Sequence, residues 1–394
     1  MSDAFKQFLS GELEAIEAAG LLRTLRRMES PQQVEVNAGG RALINFSSND
    51  YLGFAAHESL KEAAQSCVET LGAGAGSARL ISGSQSIIHE LEASLAAFKQ
   101  TEAALCFSSG YAAALGTVPA LVGQGDVVIV DKLVHASLVD AARLSGAKLR
   151  VFKHNDLADL ERLLQWANEK KGNTLVITES VFSMDGDLAP VRDLVQLKNR
   201  YGAWLMLDEA HATGLYGEGR RGVAEEMGVA DRVEVQLGTL GKALGAAGGY
   251  ICGAQALIDL LVNRSRSFIF STAPVPAQLA AANRGVELLQ SAEGETLRTR
   301  LWANVDALKN GLIQQQGWEL PVGRSAILPL MIGDEREALT LAERLREAGI
   351  WVPAVRYPTV ARGSARLRVT VSAAHQKEHL NALLDALANA TANG

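Results

Sequence analysis

Acidic side chains outnumber lysines and arginines by 44 to 38 in this 394-residue chain. The resulting net charge of −6 argues against a nucleic-acid footprint while leaving room for a local basic pocket for an anionic substrate. The length exceeds one ordinary domain and suggests two, and 48% hydrophobic with 21% charged residues is the balance of a globular enzyme with a large core.

Cys67, Cys106 and Cys252 are widely spaced and form no CxxC, which points to buried thiols in a reducing compartment and away from a disulfide framework or a zinc site. No apolar run approaches bilayer-spanning length, and Met1-Ser2-Asp3-Ala4-Phe5-Lys6 lacks a signal-peptide pattern. A cytoplasmic protein without membrane association, nucleic-acid partner or metal is therefore expected.

From the start of the chain, Ala4 to Met28 reads as an amphipathic helix ending in the basic cluster Arg23, Arg26 and Arg27, with a turn at Ser30-Pro31. After a short strand-like stretch comes Asn45-Phe46-Ser47-Ser48-Asn49-Asp50-Tyr51-Leu52-Gly53, either a particular polar and aromatic loop or an ordinary Ser/Asn turn. The Gly-rich run from Leu71 to Ser84 is not spaced as GxGxxG, carries no GK[ST], and follows a helical stretch where a dinucleotide fold needs a strand. It is expected to be a flexible, substrate-facing loop.

From Ala103 onward short apolar strands alternate with helices, the signature of a largely parallel sheet with crossovers. Ala104–Phe107 turns through Ser108-Ser109-Gly110-Tyr111 into a helix whose free amides make a phosphate site. Val127–Val130 delivers Asp131 and His135. Leu149–Phe152 precedes His154-Asn155-Asp156, and Thr174–Thr178 leads into Glu179-Ser180-Val181-Phe182-Ser183-Met184-Asp185-Gly186-Asp187. Trp204–Leu207 delivers Asp208 and then His211, Val233–Leu237 delivers the Gly-rich loop with Lys242, and Ala246–Gly253 returns as one more strand, read as antiparallel. A long helical run, Ala277 to Gln316, then leads to a second unit. Its strands fall at 327–332, 350–355 and 366–371, and its helices at 335–348 and 375–388.

Three of these residues point to one chemistry. A lysine wrapped in Gly-rich backbone loses water, its pKa falls, and the amine becomes a nucleophile for a carbonyl, which is Schiff-base chemistry; the competing reading is a solvated lysine in a turn. Asp208 by itself reads equally as a metal ligand or helix cap, and His211 as a satisfied core histidine. Both, however, reach the carboxyl ends of strands, where ligands of open α/β sheets sit, and a carboxylate there keeps a pyridinium nitrogen protonated. With Lys242 they match the needs of pyridoxal 5′-phosphate (PLP). On the strand Arg366-Leu367-Arg368-Val369-Thr370-Val371, alternation puts Arg366, Arg368 and Thr370 on one face, either as edge charges or as a carboxylate clamp.

Asn49-Asp50-Tyr51-Leu52-Gly53, Ser183-Met184-Asp185-Gly186-Asp187, Asp208-Glu209-Ala210-His211, Thr239-Leu240-Gly241-Lys242 and Arg366-Leu367-Arg368 occur in an order and spacing that resembles the α-oxoamine synthases, over essentially the whole chain. The resemblance implies a PLP-dependent transferase of fold type I. Such a fold has a large domain with a mostly parallel seven-stranded sheet and a small C-terminal α/β domain, here dividing the chain at 1–54, 55–285 and 286–394. It further implies that Lys242 bonds PLP and then acts as base, that Asp208 pairs with the pyridinium, that His135 stacks on the ring and that His211 holds the phenolic oxygen. Phosphate would rest on Gly110, Tyr111 and Thr239, with Thr272 from a second subunit of a homodimer that shares its active sites, and Ser183 would line the cofactor site. Arg368 with Asn49 would bind an amino-acid carboxylate, Arg23 and Thr359 would contact the acyl substrate, and Arg356 and His135 would also be substrate-binding.

Leu22-Arg23 and the run Pro358 to Arg368 look most like the branch that joins L-alanine to pimeloyl-CoA or pimeloyl-acyl carrier protein in biotin biosynthesis. That branch usually reads Arg-Pro-Pro-Thr-Val-Pro where this chain has Arg356-Tyr357-Pro358-Thr359-Val360-Ala361. Family members that take glycine or serine, a same-fold aminotransferase and a PLP-binding regulator are the alternatives.

Overall fold

The computed structural model describes residues 2–392. Its largest element is a seven-stranded sheet made of β3 (Ala103–Phe107), β4 (Val127–Asp131), β5 (Lys148–Phe152), β6 (Thr174–Glu179), β7 (Trp204–Asp208), β8 (Val235–Thr239) and β9 (Gly249–Gly253), in the order β3-β9-β8-β7-β6-β4-β5. β9 runs against both neighbours, as expected for the returning glycine-rich strand, and the pairs from β8 across to β5 are parallel. The unbroken apolar runs follow from burial on both faces: Val127 to Val130 are each at most 1% exposed.

Helices α4 (Gly110–Leu121), α5 (Ala136–Leu144), α6 (Leu157–Asn168) and α7 (Val191–Arg200) supply connections between these strands. Because β4, β6, β7 and β8 point the same way, their ends Asp131, Glu179, Asp208 and Thr239 share one rim; the register sets Glu179 opposite Asp208, and Asp208 opposite Leu237. That rim is where a ligand of an open α/β sheet belongs.

The remaining chain forms two small sheets. β10 (Ile327–Gly333), β12 (Ala354–Val355) and β13 (Ala365–Thr370) pair antiparallel, whereas β11 (Ile350–Trp351) pairs parallel with β2 (Arg41–Asn45), itself a hairpin with β1 (Glu35–Ala38). The single strand expected at 350–355 is thus two, parted at Val352-Pro353, where proline has no N–H to continue a ladder. The N-terminal hairpin is completed by the C-terminal unit.

Three further expectations are corrected. Helix α1 (Asp3–Ala18) stops ten residues short of Met28: Gly20 takes φ +68 and its N–H caps the Glu17 carbonyl. Arg23, Arg26 and Arg27 therefore lie in an open strap and not in a last helical turn. The Gly-rich run expected to be a flexible loop contains a π-helical turn, Arg79–Gly83. Arg79 is buried there and forks onto both Glu92 oxygens, at 2.7 and 3.0 Å, so this end of the run is held by structure. The boundary expected at 285/286 falls inside the helix Pro276–Gln290, which packs on the helices Glu58–Leu71 and Ser86–Lys99 of the large unit. The long helical run breaks only at Ser291, whose hydroxyl caps Gly294 at the start of the next helix, Ala292–Gln316. Cys67, Cys106 and Cys252 are buried thiols, and no helix among the described residues is long and apolar enough to cross a membrane.

Candidate active site

Lys242 follows β8 in a tight turn closed by Leu240 N–H to the Gly248 carbonyl and Ala246 N–H to the Leu240 carbonyl, at 3.0 and 2.9 Å. Within it, Gly245 has φ +69 and leaves no room for a Cβ, which would stand 2.4 to 2.9 Å from Phe54 and Ala55. The turn that carries the lysine is thereby pressed against Phe54-Ala55, directly after the Asn49–Gly53 segment. Lys242 is half-buried, and burial of its amine brings the pKa down to about 8 against the opposing pull of Asp208 and Glu179. Its Nζ lies 2.8 Å from His211 Nε2.

His211 is buried, which pushes its pKa well below the usual histidine range with the charges of Lys242 and Arg368 adding to the effect, so the ring is neutral. Its Nδ1 is 2.6 Å from the Tyr51 hydroxyl, which also sits 3.4 Å from Asn49 Oδ1. Arg368 Nη1 and Nη2 both donate to that same oxygen, each at 3.1 Å. A continuous line therefore runs Lys242, His211, Tyr51, Asn49, Arg368, joining residues more than 300 positions apart. Arg366, two residues away on β13, is spent on Asp185 Oδ1 at 2.5 Å and on the Met184 carbonyl.

Asp208 is buried, with Oδ1 accepting from Ala210 N–H at 2.9 Å; burial raises its pKa and the lysine charge opposes the rise. Its neighbour Glu209 belongs to a different job. It pairs with Lys99 at 2.7 Å, both side chains 1% exposed, and accepts from Ala224 N–H, anchoring the turn between Asp208 and His211. His135 caps α5, its Nδ1 accepting from Ser137 N–H at 3.3 Å and lying 2.8 Å from the Ser137 hydroxyl, and burial lowers its pKa while Asp208 pulls it up. Its backbone N–H donates to Glu179 Oε1, and Ser183 N–H donates to Glu179 Oε2, at 2.5 and 3.2 Å. Burial lifts Glu179 to about 8.

Tyr51 and Glu179 both stand in segments whose sequence pattern is distinctive, yet that pattern assigns neither a role. The signal for Glu179 was available, since it ends its strand just as Asp208 does.

At the other end of the rim, Ser109 caps α4 by accepting from Ala112 N–H, so the first-turn amides of Gly110 and Tyr111 remain without intrahelical acceptors. Gly249 lies so close that a Cβ there would meet Gly110 N at 2.5 Å, and a Cβ on Gly110 would stand 3.9 Å from the Thr239 side chain. Thr239 Oγ1 donates to the Gly248 carbonyl and accepts from Gly241 N–H. Two free helix amides and a hydroxyl at one end, a buried carboxylate in the middle and an amine beside a neutral imidazole at the other fit the phosphate, ring nitrogen and aldehyde side of PLP.

The residues expected on the acyl side also meet. Arg23 Nη2 donates to the Tyr357 carbonyl and to Thr359 Oγ1, at 3.2 and 3.4 Å. Arg356 gives Nη1 to the Gly20 carbonyl and Nη2 to the Leu22 carbonyl, at 2.7 and 2.9 Å, so its fork holds the strap that presents Arg23. A cavity of about 410 Å³ opens beside them, lined by Arg23, Arg26, Trp351, Val355 and Thr359. Thr272 lies apart, exposed and bridged to Ala78.

Comparison with known proteins identifies the family. Residues 41–387 match the family model described as aminotransferase class I and II. An 8-amino-7-oxononanoate synthase of Geobacter sulfurreducens is 47% identical over 96% of this chain and 97% of its own length, and one of Geotalea daltonii is 45% identical over 97% of each. Among solved structures, a serine palmitoyltransferase from S. paucimobilis with a bound PLP-myriocin aldimine superposes with TM-score 0.93 at 29% identity, covering 100% of this chain and 99% of that one. An 8-amino-7-oxononanoate synthase from Francisella tularensis superposes with TM-score 0.75 at 27% identity, covering 89% and 98%. The chain belongs to the aminotransferase class I and II family, in the branch of the 8-amino-7-oxononanoate synthases.

Proposed function

We propose that this chain is a PLP-dependent acyltransferase that joins L-alanine to a pimeloyl thioester, carried on CoA or on acyl carrier protein, and releases 8-amino-7-oxononanoate, CO2 and the free thiol in biotin biosynthesis. The observation that carries the reading is the hydrogen-bonded line from Lys242 through His211, Tyr51 and Asn49 to Arg368, which sets an amine, a neutral imidazole and a cationic fork along one wall.

When bound, PLP supplies an electron sink for charge that develops at the amino-acid Cα. Lys242 would hold it covalently and Asp208 would face its ring nitrogen. His135 would stack on the ring, with Ser183 beside the ring and His211 at the phenolic oxygen. The Gly110 and Tyr111 amides with Thr239 would take the phosphate, joined by Thr272 of the second copy in a homodimer. Lys242 Nζ takes the Cα proton, and with its pKa near 8 a useful fraction of the amine is a free base close to neutral pH. Arg368 orients the substrate carboxylate, and Asn49, which already accepts from both Nη atoms, holds the guanidinium flat toward it. Arg23 and Thr359 would engage the pimeloyl chain, with Arg356 fixing the strap behind them. A cytoplasmic location is part of this reading; among the described residues no helix is long and apolar enough to cross a membrane.

Incubating the holo-protein with carboxyl-labelled alanine and either pimeloyl-CoA or pimeloyl-acyl carrier protein should release labelled CO2 and thiol in equal amounts. An aminotransferase would retain the label in a keto acid. Glycine and serine arms address the relatives with the same fold, since serine palmitoyltransferase is a near structural neighbour.

A further inference from the structure

His154 sits outside the machinery just described, between the ends of two strands and a hairpin. We propose that His154 is a positioning residue for recognition of the amino-acid carboxylate: it pins the base of the 181–188 hairpin, whose tip fixes the guanidinium of Arg368. This rests on the reading of Arg368 as the carboxylate clamp.

The imidazole has a carboxylate at each nitrogen. Nδ1 is 2.9 Å from Asp131 Oδ1, at the end of β4, and Nε2 is 2.8 Å from Asp187 Oδ2, inside the hairpin. A carboxylate only accepts, so two of them facing one ring call for a proton on both nitrogens, an imidazolium. Burial works against that charge, but the hydrogen bonds and charges of Asp131 and Asp187 prevail and push the pKa up to about 10. The ring also stands edge-on to Phe182, with centroids 4.3 Å apart at 87°.

Asn155 reinforces the clamp from a left-handed conformation, φ +54. Its N–H donates to Asp131 Oδ2 and its Nδ2 to Asp187 Oδ2, both at 2.9 Å. Asp187 Oδ1 is buried without a partner, so the hold on this carboxylate comes through Oδ2 alone.

The hairpin transmits the constraint. Phe182 N–H donates to the Asp187 carbonyl at 3.0 Å, Gly186 N–H to the Phe182 carbonyl at 2.9 Å, and Val181 bridges Leu188. At its tip the Ser183 carbonyl accepts from Arg368 Nε at 2.5 Å, while Met184 and Asp185 occupy Arg366. The tip thus tells the two arginines apart, and the tip is held in place from its base.

The test compares alanine binding to holo-protein by calorimetry, with PLP content and melting temperature measured alongside. His154→Gln places its amide oxygen against one carboxylate and should weaken alanine binding roughly five- to thirtyfold, a fraction of a charge-assisted hydrogen bond, with a larger rise in KM for alanine than fall in kcat. In His154→Gln with Asp187→Asn the Gln amide donates to Asp131 and its oxygen accepts from the new Asn amide, while Asn155 Nδ2 keeps the Leu188 carbonyl, and most of the affinity should return. His154→Gln protein that melts earlier yet binds alanine within about twofold of wild type would overturn the proposal, as would a double variant no better than the single one. If His154→Gln fails to fold, Asp187→Asn alone should still weaken alanine binding, and unchanged affinity there also overturns it. Should the wild type bind glycine or serine and not alanine, the substrate assignment fails while the same comparison is made with that amino acid. An Arg368→Ala variant that binds normally removes the clamp and this inference together.

Discussion

At the rim of the large sheet, Tyr51, Asp208 and His211 are buried and tied to their partners at 2.6 to 2.9 Å. In the strap between α1 and Met28, Arg23 reaches its partners at 3.2 and 3.4 Å, Leu25 is fully exposed, and no residue of α1 is buried. Buried polar groups cannot fall back on water, so each partner removed costs its full desolvation, whereas exposed groups exchange a neighbour for solvent at little cost. Under the proposed function, a demanding site for the amino acid and cofactor thus stands beside a forgiving one for the acyl chain.

The largest break in that comparison should come at the amine. Lys242→Ala is expected to lower turnover by roughly 10²–10⁴-fold, the range for loss of a positioned base, and to abolish covalent attachment of PLP. Mass spectrometry after borohydride reduction checks this, and an adduct elsewhere in the chain would refute the assignment. In the wild type the amine is depressed from its ordinary value to about 8, so its reactive neutral form grows as pH rises. Attachment of PLP to apo-protein should therefore speed up about tenfold per pH unit below 8 and level off above it, as followed by absorbance.

Next comes the fork. Charge-assisted hydrogen bonds are each worth about 1.5 to 3 kcal/mol, part of which is lost to desolvation, so Arg368→Ala should weaken alanine binding by roughly thirty- to a thousandfold. Arg368→Lys should recover only part, because an ammonium has no planar fork. Arg366→Ala, which unpairs Asp185, should lower thermal stability with a much smaller loss of alanine affinity. A reversed order in the two titrations would give the clamp to Arg366.

Tyr51→Phe sharpens the comparison within the buried region. It leaves His211 Nδ1 without its 2.6 Å partner, a cost of about 1 to 3 kcal/mol, and should appear in urea unfolding as well as in a drop in kcat. The smallest effect belongs to the strap. Arg23→Ala should raise KM for the acyl thioester about three- to tenfold, the scale of one exposed charged contact, and leave alanine affinity and unfolding unchanged. Arg356→Ala should exceed it, because both carbonyls that hold the strap lose their donor together.

The amino-acid sequence by itself determined which segments are buried strands, since apolar runs such as Val127–Val130 leave few other choices, and it placed Asp208, His211 and Lys242 at their ends. It also carried the family motifs and, by alternation, the shared face of Arg366 and Arg368. Those are short-range properties of propensity and periodicity. Tertiary structure alone decided that Arg366 is taken up by Asp185, 181 positions away, and that Tyr51 and Glu179 are the groups that hold His211 and His135. It decided too that the N-terminal hairpin is finished by Ile350 and Trp351, and that Arg356 serves a strap more than 330 residues upstream. The reason is physical: a strand's pattern says which face is apolar but not what lies against it. That partner is selected when the whole core packs and every buried donor must find an acceptor within about 3 Å.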